Sequence, residues 1–177
     1  MITLTGFRYC PRCGHGSIRE ERSNAMRCTA CGFLYYHNCA AAVAAIIETP
    51  SGIVTVRRAS EPKKGFYDLP GGFVGYDETL EEALRREVTE ELGIAIEDLA
   101  YFGSFPNLYA FGDVTYYTTD AVFTCCHAGS GREFNPSTEI QSVEVIPPQD
   151  IDPAAVAFDS IRAALGKYVD SGGLISR

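Results

Sequence analysis

The chain has 177 residues, of which 46% are hydrophobic, and its 15 basic and 23 acidic residues give a formal net charge of −8. This length allows one ordinary domain with a small appendage. The acidic balance argues against a nucleic-acid coat protein, which needs a basic face, so no DNA partner is expected. No apolar run could span a membrane, and the start MITLTGFRYCPRC lacks the apolar stretch of a signal peptide, which predicts a cytoplasmic protein.

Four of the seven cysteines form two C-x-x-C pairs near the N-terminus, Cys10 with Cys13 and Cys28 with Cys31. Two such knuckles separated by a short polar stretch are typical of a structural zinc site with four thiolate ligands. The alternative is two disulfides in a secreted domain, which the missing signal peptide and three leftover cysteines disfavour. We therefore predict that residues 1–36 form a zinc ribbon, with a hairpin between the knuckles, that needs Zn²⁺ to fold.

Two β-strands are predicted after the ribbon, separated by a Thr-Pro-Ser-Gly turn. Residues 40–47 form a small apolar run, and residues 52–58 alternate between apolar and polar side chains. Basic residues at the end of the second strand and in the next loop can be ordinary surface charge or contacts to a phosphate group. These residues are Arg57, Arg58, Lys63 and Lys64, of which we select Arg58 as a candidate substrate-binding residue.

Residues 72–94, GFVGYDETLEEALRREVTEELGI, are the most informative stretch of the chain. Thr79 and Glu82 have the spacing of a capping box, and apolar residues recur at every fourth position from Leu80 onward. Gly93 follows the last of them and is a good helix stop. The pattern predicts a helix that buries one face in a core.

Three glutamates of this helix, Glu87, Glu90 and Glu91, are spaced so that they share one face. Adjacent carboxylates repel one another and weaken a helix that offers them no partner. Magnesium and similar hard cations prefer such oxygen ligands, together with waters and substrate phosphates. From these residues alone, the face is either a phosphate-binding metal site or a solvated acidic surface.

The whole stretch resembles the Nudix box, G-x5-E-x7-R-E-U-x-E-E-x-G-U with U a bulky aliphatic residue, and it matches every specified position. The resemblance implies a Nudix hydrolase, which cleaves a nucleoside diphosphate linked to another group X. The order of strands and helices predicts an α/β domain with a mixed sheet, and the resemblance implies that it is an α/β/α sandwich over residues 37–170. Residues 171–177 are predicted to be a frayed tail. Members of the family often form homodimers, and the sequence leaves the oligomeric state open.

The resemblance further implies roles for individual residues. It makes the three glutamates ligands of a catalytic Mg²⁺ or Mn²⁺, with the Gly72 carbonyl as a further ligand. A bound cation would neutralise phosphate oxygens and lower the pKa of a coordinated water. Glu78 and Arg86 resemble the pair that orients the box helix, because a buried arginine needs a carboxylate partner. Glu139 resembles the further metal-binding or base carboxylate of ribbon-bearing relatives, and Glu144 is the alternative.

Beyond the box, β-branched content and alternation predict three strands and then a helix, at residues 95–105, 115–126, 140–146 and 154–169. Residues 104–109 are predicted to be a loop rich in aromatic residues. Phe105, Tyr109 and Phe111 either offer ring faces to a flat group of the substrate or pack in the core. Phe105 and Tyr109 complete our set of candidate substrate-binding residues.

A zinc ribbon before a Nudix domain resembles the NADH pyrophosphatase branch of the family. That branch carries S-Q-P-W-P-F-P-x-S after its box, where this chain reads GSFPNLY at residues 103–109, so a serine, an aromatic residue and a proline match. The branch implies a small-molecule substrate, a dinucleotide or ADP-sugar such as NADH, FAD or ADP-ribose, cleaved with release of AMP. The alternatives are a nucleoside triphosphate pyrophosphohydrolase, a non-catalytic nucleotide-sensing regulator, and a ribbon that contacts RNA or protein.

Overall fold

The computed structural model describes residues 8–112, 114–128 and 133–173. Its first element is a small antiparallel sheet of three strands in the order β1-β2-β3. The hairpin of β1 and β2 lies between the two cysteine knuckles, as predicted. Residues 1–7 of the predicted ribbon and 174–177 of the predicted tail lie outside the described residues. The strands are β1 (Ile18–Arg22), β2 (Ala25–Cys28) and β3 (Leu34–Tyr36).

A larger mixed sheet of seven strands follows, with β10-β5-β4-β9-β8 as its main order. The central pair β4 and β9 is parallel, and the other neighbours are antiparallel. Short strands β6 and β7 pair with β5 and β4, respectively. The strands are β4 (Ala40–Thr49), β5 (Gly52–Arg58), β6 (Tyr67–Asp68), β7 (Gly71–Phe73), β8 (Ile96–Phe111), β9 (Val114–His127) and β10 (Ile140–Ile146).

Two α-helices, α1 (Leu80–Leu92) and α2 (Asp159–Asp170), cover opposite faces of this sheet. Side chains of β4 alternate between the two faces of the sheet. Val43 and Ile47 pack in the hydrophobic core under α1, and Ala44 packs in the core under α2. The predicted α/β/α sandwich with a mixed sheet is therefore confirmed. No helix in the described part of the chain is long and apolar enough to cross a membrane.

The predicted loop at residues 104–109 is wrong, because these residues belong to β8 and pair with β9 throughout. Pro106 lies opposite Thr119 within the ladder. A proline lacks the N–H that a central strand needs, but β8 is an edge strand of the described sheet. Edge position depends on the strand order, which a local sequence pattern does not contain.

The last helix begins later than predicted, at Asp159 rather than at residue 154. Residues Pro153–Ala155 form a separate 3₁₀ turn, and Val156 is extended and bridges Tyr67 of β6. The N–H of Ala157 donates to the Tyr67 carbonyl at 2.8 Å. A helix over these residues would lose both backbone contacts, so pairing with β6 overrides the local helical pattern.

Candidate active site

The acidic helix α1 is held at both ends by its own residues, as the sequence predicts. The Thr79 hydroxyl accepts from the Glu82 N–H at 3.2 Å, and the Glu82 carboxylate accepts from the Thr79 N–H at 2.8 Å. At the other end, Gly93 has a φ of 68° and donates its N–H to the Thr89 carbonyl. Because both ends are closed, the glutamates on this helix have a fixed direction.

Two glycines of the preceding turn let the carboxylates of α1 approach the backbone. The Gly71 N–H donates to Glu91 Oε2 at 2.9 Å. The carboxylate of Glu87 lies against Gly72, where an added Cβ would stand 2.6 Å from Glu87 Cδ and Oε1. A side chain at position 72 would have to displace the Glu87 carboxylate, so the turn and the acidic face form one unit.

Arg86 connects the box residues through its guanidinium group. Its Nε and Nη2 donate to the two carboxylate oxygens of Glu78, the second at 3.0 Å. Its Nη1 donates to Glu87 at 2.8 Å and to Glu90 at 3.1 Å. The hydrogen bonds from Arg86 lower the pKa of Glu78 to about 2. The predicted pairing of Glu78 with Arg86 is thus present.

A cleft of about 280 Å³ opens beside α1, and Glu87, Glu91 and Glu139 line one side of it. Burial raises the pKa of Glu87 above its usual range and that of Glu91 to about 8, and repulsion from Glu139 acts in the same direction on both. Arg58 is the only cationic side chain among the described residues that line the cleft. Glu87 is paired with Arg86, whereas Glu91 and Glu139 make no ion pair within the described residues. The carboxylate oxygens at the cleft therefore carry excess negative charge and fit a hard divalent cation such as Mg²⁺.

Glu90 differs from the other two predicted metal ligands of α1. Its side chain is 61% exposed, it pairs with Arg86, and it does not line the cleft. A cation in the cleft would therefore meet Glu87 and Glu91 first. The structure brings Glu139 to the same place, whereas Glu144 lies on β10 and accepts from Arg57 and Tyr67 at 2.8 and 2.9 Å.

Arg58 also lines the cleft and is held in place by its neighbours. Its Nη1 donates to Asp68 at 3.1 Å, its Nε donates to the Pro62 carbonyl at 2.8 Å, and its guanidinium carbon lies 5.0 Å from the centre of the Phe158 ring. Asp68 also accepts from the Leu69 N–H at 2.9 Å. Burial raises the pKa of Asp68 to about 6, and Arg58 opposes this rise.

Of the predicted aromatic contacts, only Tyr109 lines the cleft. Phe105 packs in the core beneath α2 instead. Phe111 stacks on Tyr109 with the ring centroids 6.5 Å apart, but it lies outside the cleft and is 61% exposed. All three residues lie on the same face of β8, because they are an even number of positions apart, so their different positions along the strand give them different environments.

Sequence reasoning missed several polar and aromatic residues of the cleft. Asp120 could have been noticed, because an acidic residue within a predicted strand is a signal: a carboxylate that is buried in a sheet needs partners. The others carry no local signal, since they come from separate elements. The missed residues are Asp68, Asn107, Thr118, Asp120 and Phe158.

The four knuckle cysteines converge at one point of the ribbon, where all four Sγ atoms lie within 4.8 Å of one another. The Cys10–Cys31 and Cys13–Cys28 Sγ distances are 3.8 and 3.7 Å. A tetrahedral ion with Zn–S bonds of about 2.3 Å places its sulfur ligands about 3.8 Å apart. These distances are too long for disulfide bonds. The cluster therefore fits a tetrahedral zinc ion.

A NUDIX domain profile matches residues 39–165, and the chain belongs to the Nudix family. An NAD-capped RNA hydrolase NudC of Haemophilus influenzae (strain PittGG) is 35% identical over 134 residues, which cover 67% of this chain and 47% of that protein. The corresponding protein of Vibrio parahaemolyticus is 28% identical over 163 residues, covering 92% and 59%. This chain therefore spans about half the length of the curated relatives it matches.

A solved NUDIX hydrolase from Nitrosomonas europaea has the same fold. It aligns with a TM-score of 0.70 over 93% of this chain and 92% of its own, with 24% sequence identity. Because the alignment covers 93% of this chain, it includes most of the ribbon and most of the sandwich.

Proposed function

We propose that this protein is a metal-dependent pyrophosphohydrolase that cleaves the pyrophosphate bond of a nucleoside diphosphate linked to a group X. The observation that carries the proposal is the convergence of Glu87, Glu91 and Glu139 on one cleft that Arg58 also lines. Three carboxylates, of which only Glu87 is paired with a cationic side chain in the described parts of the chain, suit cations that arrive with a phosphate substrate. The similarity to proteins named as hydrolases supports the same reaction class.

In this proposal, Glu87, Glu90 and Glu91 hold Mg²⁺ or Mn²⁺, with the Gly72 carbonyl as a further ligand. When bound, the cation would neutralise the phosphate oxygens and activate the attacking water. Glu139 faces the same space and serves as a further ligand or as the general base.

Two arginines complete the proposed machinery. Arg86 and Glu78 hold α1 in register with its turn, since their paired hydrogen bonds fix both side chains. Arg58 uses one Nη1 hydrogen and its Nε–H on Asp68 and Pro62, which leaves three N–H donors without a partner in the described parts of the chain. We assign those donors to a phosphate oxygen of the substrate.

The substrate we propose is a dinucleotide or ADP-sugar, such as NADH, FAD or ADP-ribose, with AMP as a product. Tyr109 lies in the cleft, where its ring can stack on a flat group such as the base or nicotinamide of a dinucleotide. The relatives named as NAD-capped RNA hydrolases act on a molecule that contains the same dinucleotide.

We further propose that residues 1–36 form a zinc ribbon, that residues 37–170 form the hydrolase domain, and that the protein acts as a homodimer. A site of four zinc-bound thiolates needs reducing conditions, which supports a cytoplasmic location.

A substrate panel tests the proposal. Purified protein is incubated with NADH, FAD, ADP-ribose and nucleoside triphosphates, with and without Mg²⁺, and released AMP and phosphate are quantified. We expect Mg²⁺-dependent AMP release from the first three substrates. No hydrolysis of any substrate would contradict the enzymatic proposal, whereas fastest cleavage of a nucleoside triphosphate would contradict only the substrate.

A further inference from the structure

The cleft has a polar floor on the side away from the acidic helix. Asp120 and Thr118 of β9 and Asn107 of β8 line it, and Asn107 is the ladder partner of Thr118. Asp120 and Thr118 are buried, with 6% and 3% of their surface exposed. Buried polar groups are costly unless they are hydrogen-bonded. Their partners therefore show what this floor offers to a ligand.

Asp120 is held in one orientation by two hydroxyl groups. Thr118 Oγ1 donates to Asp120 Oδ1 at 2.6 Å, and the Ser160 hydroxyl from the first turn of α2 donates to Oδ2. Each carboxylate oxygen can accept two hydrogen bonds, so both oxygens retain accepting capacity. Asp120 thus presents fixed acceptors to the cleft.

Asn107 provides a second acceptor beside it. Its side-chain amide has no hydrogen-bond partner among the described residues, and it is half-buried on the edge strand. An amide that nothing holds can turn its oxygen towards a ligand. Asn107 is paired with Thr118, which lies two residues from Asp120 on the same face of β9, so the two acceptors are diagonal neighbours that line one cleft. Two such acceptors match the two hydrogens of one NH₂ group.

Aromatic side chains form the wall above this floor. The rings of Tyr109 and Phe158 have centroids 5.6 Å apart and planes inclined by 42°, and both residues line the cleft. Phe158 is held from behind by the Arg58 guanidinium. A ring that lies against these faces would point its edge at Asp120 and Asn107, since they line the same cavity.

We infer that this floor recognises a planar heteroaromatic ring through its exocyclic NH₂ group, with Asp120 and Asn107 as acceptors and Tyr109 and Phe158 as the stacking wall. The inference rests on the proposed function, for which it names the ring that the cleft selects. A ring with a carbonyl in place of the amino group would set an acceptor against two acceptors, which is repulsive. Two rings of a dinucleotide carry such a group: adenine on C6 and nicotinamide in its carboxamide.

Two substrate analogues distinguish these sources. In one, hypoxanthine replaces adenine; in the other, an acetyl group replaces the carboxamide of nicotinamide. We expect the wild-type protein to cleave at least one analogue with a kcat/KM at least about tenfold below that of NAD⁺, because one unmatched buried hydrogen bond costs this much or more. Cleavage of both analogues within twofold of NAD⁺ would overturn the inference.

Asp120→Asn tests the residue itself, because it keeps the shape and replaces one acceptor by a donor. For each analogue, we compare the ratio of kcat/KM for NAD⁺ to kcat/KM for the analogue. The analogue whose ratio falls towards one in this variant identifies the recognised ring. A merely structural role of Asp120 would instead lower kcat/KM for all three substrates by the same factor, and that result would refute the proposal. Thr115→Ser, on the exposed outer part of β9, is the matched control and should retain the wild-type ratios.

A second variant covers a failure of Asp120→Asn to fold. Asn107 lies half-buried on the edge strand, so Asn107→Ala should fold. It removes the other acceptor and should reduce the same ratio by at least threefold. An unchanged ratio would count against the inference.

Binding measurements separate this inference from the proposed reaction. If no dinucleotide is hydrolysed, the proposed function is wrong. Calorimetry then measures the binding affinities of two pairs of ligands: AMP and IMP, and nicotinamide mononucleotide and its acetyl analogue. We expect one amino-bearing ligand to bind at least about tenfold more tightly than its partner. Equal affinities within both pairs would refute the recognition of an NH₂ group.

Discussion

The carboxylate of Glu87 lies against the α-carbon of Gly72 so closely that a Cβ there would stand 2.6 Å from Glu87 Cδ. Real Cβ contacts do not reach this distance, so any other residue at position 72 must displace the glutamate. The box glycine is therefore needed for space, and its own backbone φ is not in the left-handed region.

Gly72→Ala should lower kcat at least about tenfold, because Glu87 would leave its place in the cleft. Folding should change little, since the displaced side chain lies at the cleft rather than in the core. The measurements are turnover on the preferred substrate and thermal unfolding. Gly166→Ala is the control: its Cβ meets nothing within 4 Å, and in helix α2 it should add about 0.5–1 kcal/mol of stability without altering turnover. Wild-type turnover in Gly72→Ala would show that the position of Glu87 is unimportant.

Glu91→Gln should lower turnover at least about 100-fold, because one metal contact stabilises charge in the transition state by several kcal/mol. Without Mg²⁺, the same variant should unfold at a temperature no lower than the wild type, since it relieves repulsion among buried carboxylates. Glu90→Gln should also lose activity, as a proposed ligand, although Glu90 is exposed and outside the cleft. Glu81→Gln, on the exposed first turn of α1, is the control. Near-normal turnover in both Glu91→Gln and Glu90→Gln would contradict the metal assignment.

Elemental analysis after dialysis should find one zinc per chain, and Cys28→Ser should lose it. Hydrogen exchange in the zinc-free protein should then rise in β1, β2 and β3 while α1 stays protected, because the ribbon has few buried residues besides its cysteines. Cys126→Ser, outside the cluster, should keep its zinc. A disulfide between Cys10 and Cys13 in freshly reduced protein would argue against the site.

Glu78→Gln should destabilise the protein in a pH-dependent way. Hydrogen bonds from Arg86 lower the folded-state pKa of Glu78 from its ordinary value of 4.5 to about 2. A lowered carboxyl pKa contributes stability above the unfolded-state value, and this stability is lost as the pH falls from about 4.5 towards about 2. Urea unfolding at several pH values should therefore show the largest difference between wild type and variant near pH 7. A difference that stays constant down to pH 3 would mean that the Glu78 charge is not the cause.

Tyr109→Ala should raise the KM for the preferred dinucleotide roughly 5- to 100-fold, which corresponds to a stacking free energy of about 1–3 kcal/mol. The KM for a minimal ADP-linked substrate should change far less, because it has no second ring. Tyr101→Ala, at a 61% exposed site on the same strand and outside the cleft, is the control. An equal rise for both substrates would mean that Tyr109 does not stack on the ring of group X, and would place it against the adenine or in the framework of the cleft.

Local spacing in the sequence determined the parts of this protein that depend on neighbours along the chain. The Thr79 capping box, the stop at Gly93 and the shared face of Glu87 and Glu91 follow from helical periodicity. The cluster of four cysteines follows from the two knuckles, since each C-x-x-C turn brings its own pair of sulfurs together.

The tertiary structure alone decided which distant residues share the cleft. Asp68, Asn107 and Asp120 come from β6, β8 and β9, and they share one cleft only in the folded sheet. The sheet also placed Glu139 at the cleft and paired Glu144 with Arg57 instead. Which residues line the cleft depends on the strand order and on contacts between residues far apart in the chain. The local periodicity of a sequence contains no information on either.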